Sequence, residues 1–138
     1  MSFVLDASMA ASWCFRDETT PHNQSVLRTL MDSYAEVPAL WLVEIANVLA
    51  INERKKRITP AISAVFLETL AGLDIRVESG GPSIGGDILL PLTRRYGLTA
   101  YDAAYLELAK RRDLPLATLD KELIKAAPLE GVALVGQP

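Results

Sequence analysis

Four acidic residues occupy positions from which their side chains could bind a metal ion: Asp6, Glu44, Asp102 and Asp120. Asp6 directly follows the apolar run Phe3–Leu5, and Asp120 directly follows Leu116–Leu119. Both runs are typical of buried strands. Because ligands of open α/β sheets bind beyond the carboxyl ends of the strands, we expect these two aspartates to converge.

The other two acids fall in predicted helices. Glu44 lies in Leu40–Arg54, where its neighbours at helical spacing are mostly apolar. An acid on such a face is costly unless it is hydrogen-bonded, paired or bound to a metal, and Asn47, one turn further on, could help to hold it. Asp102 lies in the first turn of Thr99–Arg112, which places its carboxylate at one end of the sheet.

Each acid also has a purely structural interpretation. Asp102 can complete a capping box with Thr99, Asp120 can cap the next helix, Asp6 can be a turn residue, and Glu44 can point into water. Taken together, with a single histidine in the chain, the four acids indicate an oxygen-only site of the kind that Mg²⁺ or Mn²⁺ prefers. Such a cation would lower the pKa of a water bound to it, and the spacing leaves both one and two metals open.

The elements that must position these residues alternate between strand and helix, which predicts an α/β fold with a mainly parallel sheet. The predicted strands are Phe3–Leu5, a short one at Val37, Ile75–Val77, Leu114–Leu119 and Val132–Val135. The predicted helices are Ala7–Phe15, Pro21–Tyr34, Leu40–Arg54, Pro60–Ala71 after a Thr59 cap, Asp87–Tyr96 with a kink or delay at Pro91, Thr99–Arg112 and Lys121–Ala127. We expect Gly80–Gly86 to form a loop, and residues 1–138 to form one domain.

The composition narrows the class of protein. The chain has 138 residues and a net charge of −3. This charge disfavours a general nucleic-acid binder with a basic face, but not an enzyme whose own site is acidic. The only cysteine, Cys14, cannot form an internal disulfide, so we expect a cytoplasmic protein. No apolar run approaches the roughly 20 residues of a membrane span, so no membrane association is expected.

Four segments resemble, in order, the motifs of PIN-domain nucleases: Phe3–Ser8, Trp41–Leu49, Gly97–Ala109 and Leu116–Leu123. The third is very similar to the corresponding motif of bacterial VapC toxins, and the match extends over nearly the whole chain.

The resemblance implies that Asp6, Glu44, Asp102 and Asp120 form the catalytic acidic site. We interpret Asp6 and Asp102 as direct metal ligands, and Glu44 and Asp120 as ligands that bind directly or through water. Ser8 and Thr118 carry over as hydroxyl supports beside the acids.

The same resemblance implies a four- to five-stranded parallel sheet flanked by helices. It further implies an Mg²⁺- or Mn²⁺-dependent endoribonuclease that leaves a 5′-phosphate and a 3′-hydroxyl, a homodimer, and a cognate VapB-type antitoxin. The basic run Arg54-Lys55-Lys56-Arg57 has two interpretations: cations that complement the end of their own helix, or phosphate contacts with RNA.

Two alternatives remain open at this point. One is a PIN-domain nuclease that acts in RNA processing without an antitoxin. The other is an acidic signalling module of receiver type, which also gathers aspartates at strand ends. A receiver needs a lysine at a later strand end, however, whereas Lys121 lies beyond Asp120.

Overall fold

A four-stranded parallel sheet organises the structure, a computed structural model in which residues 1–81 and 88–136 are described. The strands are β1 (Phe3–Leu5), β2 (Ala35–Val37), β3 (Ile75–Val77) and β4 (Leu116–Ala117). Their order is β3-β2-β1-β4, so β1 is central and pairs with β2 on one side and β4 on the other. All three residues of β1 are fully buried.

Seven α-helices flank this sheet within the described part of the chain. They are α1 (Ala7–Ser12), α2 (Pro21–Met31), α3 (Leu40–Arg54), α4 (Pro60–Ala71), α5 (Leu89–Tyr96), α6 (Ala100–Arg112) and α7 (Lys121–Leu129), with a 3₁₀ turn at Arg16–Glu18. The helices α2 and α4 each begin with a proline after a threonine whose hydroxyl accepts a backbone N–H. Proline suits this position because its missing N–H would have no partner there.

The α6 helix is the most enclosed element. Every residue of Ala103–Ala109 is buried, including Glu107, which forms an ion pair with Arg111 one turn further on. The α3 helix buries a narrower face, made of Trp41, Ile45 and Leu49. No helix of residues 1–81 and 88–136 has the length and apolarity that crossing a bilayer requires.

The predicted α/β class, the parallel sheet and the bounds of α3, α4 and β3 are confirmed. Several predicted ends were wrong. The first helix ends at Ser12 rather than Phe15, the second at Met31 rather than Tyr34, and β4 keeps only two of the six predicted residues. The α7 helix continues to Leu129, two residues beyond the predicted end, with Pro128 in its last turn.

The predicted fifth strand, Val132–Val135, is reduced to an isolated bridge between Leu134 and Leu116. Gly131 and Gly136 have positive φ angles of 79° and 58°, so left-handed turns bound the segment on both sides and leave it too short for a ladder.

The α5 helix begins at Leu89, so Pro91 lies in its first turn, where backbone N–H groups have no helical partner and proline is tolerated. Both the predicted start at Asp87 and most of the predicted Gly80–Gly86 loop lie outside the described residues.

Candidate metal-binding active site

The carboxyl ends of β1 and β4 lie side by side and carry two of the predicted acids. Asp6 directly follows β1, and α1 begins at the next residue. Asp120 follows β4 after two residues and caps α7, where its Oδ1 accepts the backbone N–H of Leu123 at 3.0 Å. The interpretation of Asp120 as the N-cap of α7 is therefore confirmed, and the cap uses only one of its two carboxylate oxygens.

Two hydroxyls hold the carboxylate of Asp6, which is only 3% exposed. Thr118 donates to Asp6 Oδ2 at 2.6 Å, and Ser8 donates to the same oxygen at 2.7 Å. Each hydroxyl also accepts a backbone N–H at 3.0 Å, Thr118 from Asp120 and Ser8 from Leu119. The hydroxyls therefore fix Asp6 and tie the ends of β1 and β4 together, and neither donates to Asp6 Oδ1.

Asp102 approaches the same place from the first turn of α6. Its backbone N–H donates to the hydroxyl of Thr99, the N-cap, at 3.1 Å, so the predicted cap is present. Burial, and then the negative charges of Asp120 and Asp6, raise the pKa of Asp102 to about 6, against the opposing effect of the Thr99 hydrogen bond. Glu122, in the first turn of α7, adds to this rise. Capping and proximity to the other acids thus coexist at Asp102.

Glu44 completes the group from the half-buried side of α3. Its Oε1 accepts a hydrogen bond from the hydroxyl of Tyr105 at 2.5 Å. Burial raises the pKa of Glu44, the Tyr105 hydrogen bond lowers it, and the charges of Asp6 and Asp102 raise it further. The role that the sequence suggested for Asn47 was wrong, because Asn47 is exposed and within the described residues Tyr105 holds Glu44 instead.

Tyr105 is the residue that sequence reasoning missed. It follows Asp102 by three residues on α6, so the two side chains share a helix face, and this spacing was the signal available. Burial and its hydrogen bond to Glu44 raise the pKa of Tyr105 far above its ordinary value, so the phenol keeps its proton at neutral pH and donates it in the hydrogen bond to Glu44.

The charges of the four acids are close enough to act on one another. Burial raises the pKa of Asp6, the hydrogen bonds from Thr118 and Ser8 oppose this rise, and the charge of Asp120 adds to it. With the effects on Glu44 and Asp102, all four predicted acids belong to one electrostatically connected cluster. Close carboxylates without a cation repel one another, so this arrangement is costly by itself.

The donor set fits a hard divalent cation, since it consists of carboxylate oxygens alone. No group of three or more His, Cys, Asp or Glu side chains in the described ranges is arranged as a ready-made metal site. Mg²⁺ commonly keeps several of its waters and contacts only one or two carboxylates of a protein directly.

The predicted basic run is not beside this cluster. Arg54–Arg57 begins ten residues after Glu44, which is about 15 Å along the helix axis. Arg57 forms ion pairs with Asp17 at 2.8 Å and Glu18 at 2.9 Å, and its guanidinium lies over the Phe15 ring. Arg57 therefore has structural partners, and contact of the basic run with RNA phosphates stays a prediction.

Comparisons with known proteins agree with this architecture. A family model described as the PIN domain matches residues 3–129. The fold is similar to that of PAE2754 from Pyrobaculum aerophilum, with a TM-score of 0.71, 21% identity, and coverage of 100% of this chain and 88% of that chain. No curated protein sequence gives a significant match.

Two further solved structures share the fold. The first is that of VapBC2 from Rickettsia felis bound to a DNA fragment from their promoter, with a TM-score of 0.67, 14% identity and coverage of 97% of both chains. The second is that of FitAcB from Neisseria gonorrhoeae, with a TM-score of 0.64, 20% identity, and coverage of 97% of this chain and 96% of that chain.

The Asp102→Asn substitution should leave the metal-free protein as stable as the wild type, or more stable, at pH 7. The raised pKa of Asp102, about 6, means that its ionised form disfavours the folded state, and this cost appears as the pH rises through 6. Because the carboxylate is partly exposed and screened by solvent, we expect the melting temperature in EDTA to rise by only a few degrees at most. Wild-type stability should fall more steeply than that of the variant between about pH 4 and pH 6, the interval between the ordinary and the raised pKa of Asp102.

Asp113→Asn is the matched control, since it makes the same change at the other end of α6. Asp113 is exposed and has a left-handed backbone, with φ of 53°, which asparagine tolerates well. Its melting temperature and pH profile should match those of the wild type. If Asp102→Asn melted well below the control, the Asp102 carboxylate would be a stabilising helix-start charge and not a member of a repelling cluster.

Proposed function

This chain belongs to the PIN domain family, and from that premise we propose that it is an Mg²⁺- or Mn²⁺-dependent endoribonuclease that cleaves RNA phosphodiesters. The fold is that of PIN domain nucleases, a family that generally uses a divalent metal. The observation that carries the proposal is the cluster of four acids around the carboxyl ends of β1 and β4. The family match also sets the receiver-type alternative aside.

In the proposed mechanism, Asp6 and Asp102 would hold the cation, and Glu44 and Asp120 would bind it directly or through water. When bound there, a divalent cation would supply Lewis acidity toward the attacking water and the phosphate. Ser8 and Thr118 fix the Asp6 carboxylate through Oδ2, so this ligand needs little reorganisation when it binds. A carboxylate that does not contact the cation can orient the attacking water by accepting its hydrogen bond.

We further propose that a VapB-type antitoxin inhibits this protein. VapBC2 and FitAcB, two proteins of similar fold, support a toxin–antitoxin assignment. Between α1, α2 and α4 lies an apolar groove of ≈ 410 Å³, which we call the α4 groove. Its lining residues are Trp13, Cys14, Leu27, Ala61, Ile62, Val65, Phe66, Thr69 and Leu70.

An amphipathic antitoxin segment would cover the α4 groove with its apolar face. An arginine of the same partner would suit the acidic cluster, because the guanidinium fork pairs with carboxylates in a bidentate manner. A PIN nuclease of RNA processing without an antitoxin is the second candidate, and the presence of an inhibitory partner separates the two.

We also propose that the protein forms a homodimer and acts in the cytoplasm, as the resemblance to VapC toxins implies. Leu42 and Val43, which precede Glu44 on α3, are 54% and 71% exposed and offer apolar surface to a second copy. Sedimentation should then give twice the 15.0 kDa mass of one chain.

The Asp6→Asn substitution should abolish RNA cleavage. The amide keeps the shape of the side chain but removes the charge that would hold the cation, so we expect a loss of at least about 100-fold in cleavage rate. The measurement uses labelled RNA and DNA oligonucleotides of the same sequence, with Mg²⁺, Mn²⁺ or EDTA. RNA fragments with 5′-phosphates should form only with metal and the wild-type protein.

Asp113→Asn again supplies the control and should cleave RNA at the wild-type rate. Three results would contradict the proposal: cleavage that persists in EDTA, cleavage of DNA but not RNA, or equal activity of Asp6→Asn and the wild type.

The Val65→Asp substitution should block binding of the antitoxin while leaving RNA cleavage intact. Val65 is 63% exposed in the α4 groove, so a charge there should not disturb folding but should disfavour an apolar partner surface. The assay is co-purification with the product of an adjacent small open reading frame, together with rescue of growth. Leu129→Asp is the control, since Leu129 is 70% exposed on α7, outside the α4 groove.

If the neighbouring product neither binds nor inhibits the wild-type protein, the antitoxin proposal fails and the RNA-processing alternative gains. If it binds Val65→Asp and the wild type equally, the antitoxin does not use the α4 groove.

A further inference from the structure

Glu44 is held by one residue that lies deep in the core. Tyr105 is fully buried, and its hydroxyl donates to Glu44 Oε1 at 2.5 Å across a separation of 61 residues in sequence. Tyr105 belongs to α6, one turn after Asp102, whereas Glu44 belongs to α3. The hydrogen bond therefore joins the two helices that bring these two acids to the site.

A glutamate has more rotatable bonds than an aspartate, so its carboxylate loses more freedom when it is fixed in one place. Asp6 is fixed by hydroxyls from its own turn and from the strand next to it. Among the described residues, Glu44 has only the Tyr105 hydroxyl as a side-chain partner, and no ion pair involves it. Its orientation thus depends on a single contact that is itself immobilised by the core.

From this geometry, and resting on the proposed function, we propose that Tyr105 is a positioning residue. It holds Oε1 of Glu44 so that the second oxygen, Oε2, is presented to the divalent cation or to a water beside it. Tyr105 does not contact the substrate or the cation, and it acts through Glu44 alone.

A second tyrosine–glutamate pair in the same chain shows what a purely structural bond looks like. Tyr96 donates to Glu130 Oε1 at 2.5 Å, but Glu130 also accepts from Arg95 at 2.8 Å and forms an ion pair with Lys110. Glu130 is therefore neutralised by cations of the protein. Glu44 has the same kind of tyrosine bond without a cation, which leaves its charge available to a ligand.

The two pairs provide a matched test, in which Tyr105→Phe and Tyr96→Phe each remove one hydroxyl from a tyrosine–glutamate bond. We expect Tyr105→Phe to weaken Mn²⁺ binding, measured by isothermal titration calorimetry at pH 7, by about 10- to 100-fold, the usual effect of losing a partner that orients a ligand. At saturating Mn²⁺, the kcat for RNA cleavage should fall within the same range, with KM within about twofold of wild type, since the metal is then bound and the substrate contacts are unchanged. Tyr96→Phe should lower the melting temperature but leave Mn²⁺ binding and kcat unchanged.

A double substitution tests whether Tyr105 acts through Glu44. In the Glu44→Gln background, Tyr105→Phe should cause no further loss of Mn²⁺ affinity. The Glu44 carboxylate, through which Tyr105 affects the cation, is already absent there. A further loss as large as in the wild-type background would overturn the proposal. So would Mn²⁺ affinity and kcat of Tyr105→Phe within twofold of wild type, or equal losses of Mn²⁺ affinity in Tyr105→Phe and Tyr96→Phe.

The Mn²⁺ titration separates this proposal from the nuclease function. If the wild type binds Mn²⁺ but cleaves no RNA, the ribonuclease function fails, while the affinities of the two phenylalanine variants still decide the role of Tyr105. If the wild type binds no Mn²⁺, both proposals are overturned.

Discussion

A carboxylate buried at the end of the central strand is the constraint on which the rest of the site depends. Placing a charge in a poorly hydrated position is costly unless hydrogen bonds or an opposite charge compensate it. For Asp6 the compensation within the described residues comes from the hydroxyls of Ser8 and Thr118. The two hydroxyls reach the same oxygen because of the register of β1 and β4. Leu5 pairs with Ala117, so the next residues along the two chains, Asp6 and Thr118, lie side by side.

The acidic cluster differs from other buried acids of the molecule, which form ion pairs with cations of the protein. Glu130 is neutralised by Arg95 and Lys110, and Glu78 by Arg111 and Arg112. Of the salt bridges among the described residues, none involves the four acids of the cluster. These ion pairs stabilise the fold at other places, and among the described residues no ion pair relieves the repulsion between the four acids. A locally destabilising arrangement of this kind, within a fold that is otherwise stabilised throughout, is typical of functional sites.

The parts of this arrangement that depend on local sequence were predictable. Alternation of strands and helices indicated the class, the Thr59-Pro60 pair set the start of α4, and Asp6 and Asp120 were found because each follows a strand. The partner of Glu44 was not predictable from spacing along α3, since Tyr105 is 61 residues away and meets it only in the folded chain. The same reason explains Arg57, whose acidic partners lie about 40 residues earlier, at Asp17 and Glu18. Nothing in the basic run itself shows that these acids already engage Arg57.

The net charge of the chain and the negative charge of the acidic cluster together limit how such an enzyme can bind RNA. A chain of net charge −3 with four clustered carboxylates repels a phosphate backbone, and the basic run at the end of α3 is too remote to offset this repulsion at the site. Under the proposed function, the cation must therefore neutralise the cluster before a phosphodiester can approach it, so the metal affects substrate binding as well as chemistry. Burial raises the pKa of Asp6 and Asp102, so their ionised forms carry a free-energy cost in the metal-free protein. Under the proposed function, a bound cation would offset this cost and would also reduce the repulsion between the cluster and RNA.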